Sequence, residues 1–484
     1  MSSGAEGRGR DDDVTTRKKD KTEGGLPPSV PGWPLIGNIL DVDPSEIHHI
    51  LSRWSQTHGS IYTVWLLRTP HVVVNSLDTV RQVTARACSR SLRTGHVVAS
   101  NGGKNIFLGN YTAEWRYIRE AAEDGINIHT KEMVNLDKLM DSEVEDFIRV
   151  CRALNGASVD LHDSVEETLT SMITSFCIGE KLEKEGEDFK AIVEHVNTYR
   201  LVLNADFAPE LSLLPFLKYT NLMSMRTIRA IGPQRDAIFD SYIQDLKESY
   251  NRDKKTSFVH LLMAFDKASD EQMKIMFTDF LVGGIFSMQT MVTAVVLLLL
   301  KYPDAKGKVQ QQLDLKVGRT RTPSLKDRSN LPYLQAVVTE TVRFMAPAPV
   351  VKRVAHEDTK VDGYDIPANT DILMNLWQVM HDGEFWEDPD VWRPERFLDH
   401  QGQILAPTHP FMQCVQYAFG GGMRTCLGRQ FALDQIFRLV ARLLQQFDLR
   451  PDAEHPLPEM TAETIKMKAR TLTPAFHVKL APRA

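Results

Sequence analysis

Cysteine is scarce and scattered in this chain. Its five copies, Cys88, Cys151, Cys177, Cys414 and Cys426, are odd in number and form neither a Cys-x-x-Cys pair nor a Cys/His cluster. That argues against a disulfide framework and a structural zinc site, so any special cysteine must be marked by its neighbours. A large excess of one charge is missing too: 57 basic against 63 acidic residues leave −6 over 484 residues. With 42% hydrophobic and 25% charged residues, fibrous, disordered and nucleic-acid-coating chains are excluded. Long apolar runs are absent as well. The longest, Val292–Leu300, is interrupted by Thr293 and falls short of the roughly 20 residues that span a bilayer. Residues 1–25 carry six basic and six acidic residues, unlike a secretory signal or an anchor. The expectation is a disordered charged leader over 1–25 ahead of an intracellular protein, soluble or peripherally membrane-associated.

Beyond the leader, four prolines between Leu26 and Asn38 forbid helix and set an extended path. Ile61–Leu66, a Thr69-Pro70 break and His71–Asn75 read as a β-hairpin. Helical periodicity dominates from Trp115 to about Leu313. A second β-prone region spans Lys352–Met374, with turn chemistry at Asp362-Gly363. A helix over Gln430–Gln446 and a short β-rich end around Leu472–Leu480 complete the chain, and no internal repeat is present. The pattern is mainly α with a small β region, an α+β chain.

The sharpest local signal is Phe419-Gly420-Gly421-Gly422-Met423-Arg424-Thr425-Cys426-Leu427-Gly428, directly ahead of a helix. Glycines let backbone approach a flat ligand, and the helix N-terminus with nearby Arg424 favours a Cys426 thiolate, a metal ligand. The spacing Phe-x-x-Gly-x-Arg-x-Cys-x-Gly resembles the haem-binding loop of the cytochrome P450 family. Further marks follow the same resemblance. Glu340 and Arg343 match its Glu-x-x-Arg pair, and Pro394-Glu395-Arg396-Phe397 matches its third partner segment. Trp115 and Arg119 match a Trp-x-x-x-Arg helix, and Arg353 falls where the family places a propionate-binding arginine. The resemblance covers residues 26–484 and implies a single large domain of that fold holding heme b. Cys426 would be the iron ligand, with Phe419, Arg424, Gly428, Trp115, Arg119 and Arg353 around the haem. Glu340, Arg343 and Arg396 would form a buried brace.

One segment departs from the family. Its distal helix carries a pattern near Ala/Gly-Gly-x-Asp/Glu-Thr-Thr, whose acid and alcohol relay protons to bound dioxygen. Here Gly283-Gly284-Ile285-Phe286-Ser287-Met288 stands in its place. Gly283 and Gly284 keep room for a ligand, but Phe286 cannot transfer a proton. That substitution resembles the branch converting fatty-acid hydroperoxides, of epoxyalcohol synthase or allene oxide synthase type. Homolysis of the substrate's own O–O bond would then give an alkoxyl radical and an epoxide, with neither NADPH nor a reductase. The alternative is an NADPH- and reductase-dependent monooxygenase in which Ser287 replaces threonine, acting on a lipid, steroid or xenobiotic. A non-catalytic haem sensor is a third possibility. Polar side chains near the reacting oxygen would come from Asn101, Asn105, Ser287 and Gln289. The substrate, apolar and elongated, would lie between the Asn101–Phe107 loop, the Tyr199–Leu217 region, the distal helix, Met345–Val351 and Leu472-Thr473-Pro474. No nucleic-acid partner is expected.

Overall fold

The computed structural model describes residues 25–86, 104–107, 109–132, 136–203, 222–251, 256–264, 268–468 and 470–483. The leader and Asn101, named above, lie outside them. The proline-rich opening follows the extended path its composition demands. Val30 N donates to Thr63 O at 2.9 Å and Thr63 N to Pro28 O at 2.8 Å, tying it to the first hairpin strand.

That hairpin is β1 (Ile61–Leu66) and β2 (Thr69–Val74). Pro70 lies inside β2 rather than breaking it. It can do so because β2 meets its third-strand partner only from His71 onward, leaving Pro70 without a ladder position to fill there. β3 (Val350–Val354) and β4 (Asp371–Asn375) complete a four-stranded sheet of order β1-β2-β4-β3. Near the C-terminus, β5 (Phe447–Pro451) pairs antiparallel with β6 (Val478–Pro482). The β-rich end expected from Leu472 therefore starts later, since the chain from Arg470 to Thr473 bonds to a helix instead.

Helices make the rest. In chain order the ones that matter are α1 (Ala113–Glu132), α2 (Leu136–Ala153), α3 (His162–Ile178), α4 (Glu187–Leu203), α5 (Met223–Glu248), α6 (Asp270–Lys301), α7 (Pro332–Met345) and α8 (Arg429–Gln446). α6 crosses the molecule. It starts at a capping box, in which Ser269 Oγ accepts from Gln272 N and Gln272 reciprocates. By length and composition it could cross a bilayer, yet 83% of its apolar window is buried within the fold. The apolar run Val292–Leu300 marks only its C-terminal end. The threonines and Gln289 that break the run are buried along with it. α3, α7 and α8 pack around α6 and form one core with it. The mainly α architecture with a small β region is the one expected.

Candidate active site

The glycine loop carries the first functional side chain. Cys426 N donates to Phe419 O at 2.9 Å, closing the loop just before α8. Gly422 has φ +62°, and a Cβ there would meet Thr84 O at 2.0 Å, so only glycine fits beneath that backbone. Cys426 is accessible to solvent, yet burial pushes its thiol pKa upward against the opposing influence of Gly428 N–H, Arg119 and Arg429. An accessible thiol that is nonetheless desolvated lines an internal space. Burial outweighs the helix end here, and Arg424 is engaged elsewhere. Its guanidinium lies 3.6 Å from the Trp115 ring centroid and donates to Gly109 O at 2.7 Å.

Opposite stands α6, whose burial pattern reveals its open face. Within an otherwise buried stretch, Phe280, Gly283, Gly284 and Ser287 are the more accessible residues, at the i, i+3, i+4, i+7 spacing of one helical stripe. A Cβ on Gly283 would meet nothing within 4 Å. Gly284 differs: a Cβ there would lie 2.6 Å from Ile173 Cδ1, so this glycine serves the packing of α3 on α6 rather than ligand room. Aromatic rings connect the two walls. Phe431 in the first turn of α8 lies 4.8 Å from Phe176, which lies 6.2 Å from Phe280 of the stripe.

Among the described residues Ser287 Oγ reaches only Gly283 O, at a long 3.4 Å, leaving its hydroxyl ready to turn toward another partner. Phe286 does not dry this face. Its ring is buried off the stripe, with Arg200 Cζ 5.2 Å and Arg470 Cζ 5.0 Å from its centroid. Gln289 also turns away, donating to Glu166 Oε2 at 2.7 Å and His162 O at 3.0 Å. Asn105 is buried and donates to Asp279 Oδ1 at 3.0 Å. Asp279 further accepts Ile106 N at 2.7 Å and Phe107 N at 3.2 Å, and so holds this loop to α6. Sequence reasoning missed Asp279, although it is the lone charge between Lys274 and Lys301, a position at which an acid needs partners.

Three arginines surround the loop. Arg119 NH2 donates to Thr425 O at 2.5 Å, Arg353 NH1 to Lys352 O at 3.0 Å, and Arg424 as above. A Cβ on Gly420 would lie 3.6 Å from Arg353 NH2. Together they bring three guanidiniums to one loop, a setting that suits a flat group bearing carboxylates. Behind it, Glu340 receives Arg343 Nε and NH2, each at 2.8 Å, Arg396 Nε at 3.2 Å and Arg393 N at 2.9 Å. The three side chains named from the sequence thus meet in one buried cluster, which Arg343 NH1 ties to Met380 O at 2.8 Å.

The chain resembles known proteins along most of its length. A family model, Cytochrome P450, matches residues 27–475. The steroid 17-alpha-hydroxylase/17,20 lyase of Gallus gallus is 27% identical over 460 residues, covering 90% of this chain and 88% of the relative. Cytochrome P450 1A2 of Homo sapiens is 27% identical over 466 residues, covering 91% and 89%. A solved structure of a zebrafish cytochrome P450 with progesterone matches with TM-score 0.79 at 20% identity, over 90% of this chain and 99% of that one, a likeness of fold. None of these is named as a hydroperoxide-converting enzyme, and the hydroxylase among them fits the monooxygenase alternative better than the branch expected from the distal helix.

Proposed function

Because the chain belongs to the cytochrome P450 family, we propose that it is a haem-thiolate monooxygenase that hydroxylates an apolar, lipid- or steroid-like substrate. NADPH and a reductase partner would supply its electrons. The family's cofactor is heme b held through a thiolate, and Cys426 is the residue proposed to hold it, with Arg119, Arg353 and Arg424 binding the propionates. When bound, the haem supplies dioxygen activation and oxygen transfer.

The chain's own residues supply the rest. The Glu340–Arg343–Arg396 cluster keeps the loop's supporting segments in place, and the Gly283 gap on α6 makes space for substrate. Asp279 holds Ile106 and Phe107 at the edge of that space. Ser287 Oγ is the proton-bearing atom on the open face. It holds an ordered water or passes a proton, while buried Phe286 lies outside that route.

The single observation that carries this reading is the orientation of the pair Phe286–Ser287. The position that has lost its acid turns off the accessible stripe, and the position that retains a hydroxyl lies on it. The hydroxylase named among the relatives supports oxygenase chemistry over peroxide isomerisation. Reconstitution with a reductase and NADPH should give hydroxylated product from apolar substrates, with Ser287→Ala lowering product formed per NADPH consumed and Ser287→Thr preserving it. Rapid conversion of fatty-acid hydroperoxides without NADPH, together with no hydroxylation in the complete system, would overturn the proposal.

A further inference from the structure

Beside the open stripe, α6 presents a second face formed by Phe286, Gln289 and Thr290, and two cations converge there. Arg470, just before the Leu472-Thr473-Pro474 turn, donates its Nε to Phe286 O at 2.7 Å and to Thr290 Oγ1 at 3.0 Å, and its NH2 approaches Gln289 Oε1 at 3.4 Å. All of these acceptors are neutral. Among the described residues Arg470 has no carboxylate within ion-pair distance, and its remaining nitrogen makes no hydrogen bond. Arg200, in the last turn of α4, also lies against the Phe286 ring, its Cζ 5.2 Å from the centroid, and donates to Glu166 Oε2 at 3.0 Å. Among the described residues Glu166 is the one carboxylate in the cluster, and it already accepts from Arg200 and Gln289. Two guanidiniums therefore share one acid among the described residues, leaving an excess of positive charge around the apolar Phe286 ring. Arg470 shows the same combination as Cys426: it is only half-buried by exposure, yet desolvation and Arg200 bring its pKa down to about 10. Such a guanidinium is held partly out of bulk water.

We propose that Arg470, supported by Arg200, is a specificity determinant that receives the carboxylate of an otherwise apolar substrate. This rests on the monooxygenase reading and narrows its substrate class to apolar carboxylic acids. The planar fork of an arginine matches a carboxylate's two oxygens. In an enclosed site the pairing is screened less by salt than at a surface. Anchoring one end of a flexible chain also fixes which carbon lies near Ser287. Glu166 sets the strength of the site by holding Arg200.

The test measures binding, not turnover. Haem-loaded protein is titrated by calorimetry with C16–C20 monocarboxylic acids and with the methyl ester of each. Expected is at least tenfold tighter binding of the acid than of its ester, lost in Arg470→Gln and largely restored in Arg470→Lys. Glu166→Gln should tighten acid binding several-fold while leaving ester binding unchanged, a gain that a merely misfolded variant would not show. Equal affinity for acid and ester in the unmodified protein would overturn the proposal, as would equal losses for both in Arg470→Gln. Binding of neither, alongside binding of a neutral steroid, would overturn it as well. Failure of the haem-thiolate reading would be seen separately, as an abnormal carbon monoxide spectrum of the same preparation, whatever the acid-to-ester ratio.

Discussion

Glu340 sets burial sharply against charge. Its side chain and that of Arg343 are fully enclosed, and Arg396 is nearly so. Removing the acid while two buried guanidiniums remain leaves uncompensated charge, a loss of about 3–5 kcal/mol. Glu340→Ala should therefore give protein with a markedly lower urea midpoint and poor haem content. Normal values for both would mean that the three charges are not energetically coupled. These residues could be read from the sequence because their spacing matches a known pattern. Asp279, Arg200 and Arg470 could not, because each becomes informative only when α4, α6 and the segment after Met467 are brought together in space. Phe286 was misleading for the same reason: its identity is visible in the sequence, but the direction of its ring is set by two arginines from other elements.

At the scale of elements, adjacent glycines on α6 do different work, and substitution separates them. Replacing a mid-helix glycine by alanine gains about 1 kcal/mol of helix propensity where nothing obstructs the methyl group. Gly283→Ala should thus leave thermal stability unchanged or slightly raised, since nothing lies within 4 Å of its Cβ. Gly284→Ala would place its methyl 2.6 Å from Ile173 Cδ1, which must turn aside in the core, so this variant should be less stable than Gly283→Ala. Combining it with Ile173→Val should recover part of the loss. Equal melting temperatures for the two alanine variants would contradict the assignment of one glycine to the cavity and the other to helix packing. Element types were legible because hydrophobic periodicity and turn chemistry are local properties. The extent of α6 was not, since Thr and Gln interrupt its apolar run without interrupting the helix, and neither was the start of β6, which tertiary hydrogen bonds delay.

At the scale of the whole molecule, acid should unfold the protein through a histidine cluster joining distant parts of the chain. His48 and His49 both reach Ile465 O at 3.0 Å, and both pack edge-on against Trp377, which stacks on His381 at 3.9 Å. Burial, the largest cause in each case, brings His48 down to about 3 and lowers His49 and His381 as well. Between the folded and unfolded pKa values the unfolded chain binds more protons, so stability is full above about pH 6.5 and falls as pH drops. For His48 alone the slope is about 1.4 kcal/mol per pH unit between 6.5 and about 3. Urea midpoints measured from pH 7.5 to 4.5 should fall steeply, and His48→Phe should flatten that dependence; an unchanged slope in the variant would rule the cluster out as its source. The overall architecture and the loop around Cys426 were legible because both depend on local pattern, whereas the relation between Cys426 and the face of α6 exists only after folding. The most direct measurement is therefore the reduced carbon monoxide difference spectrum of the purified protein and its Cys426→His variant. The red-shifted Soret band of thiolate ligation is expected in the first and its loss in the second, while a band unaffected by Cys426→His would contradict the assignment of this cysteine as the haem ligand.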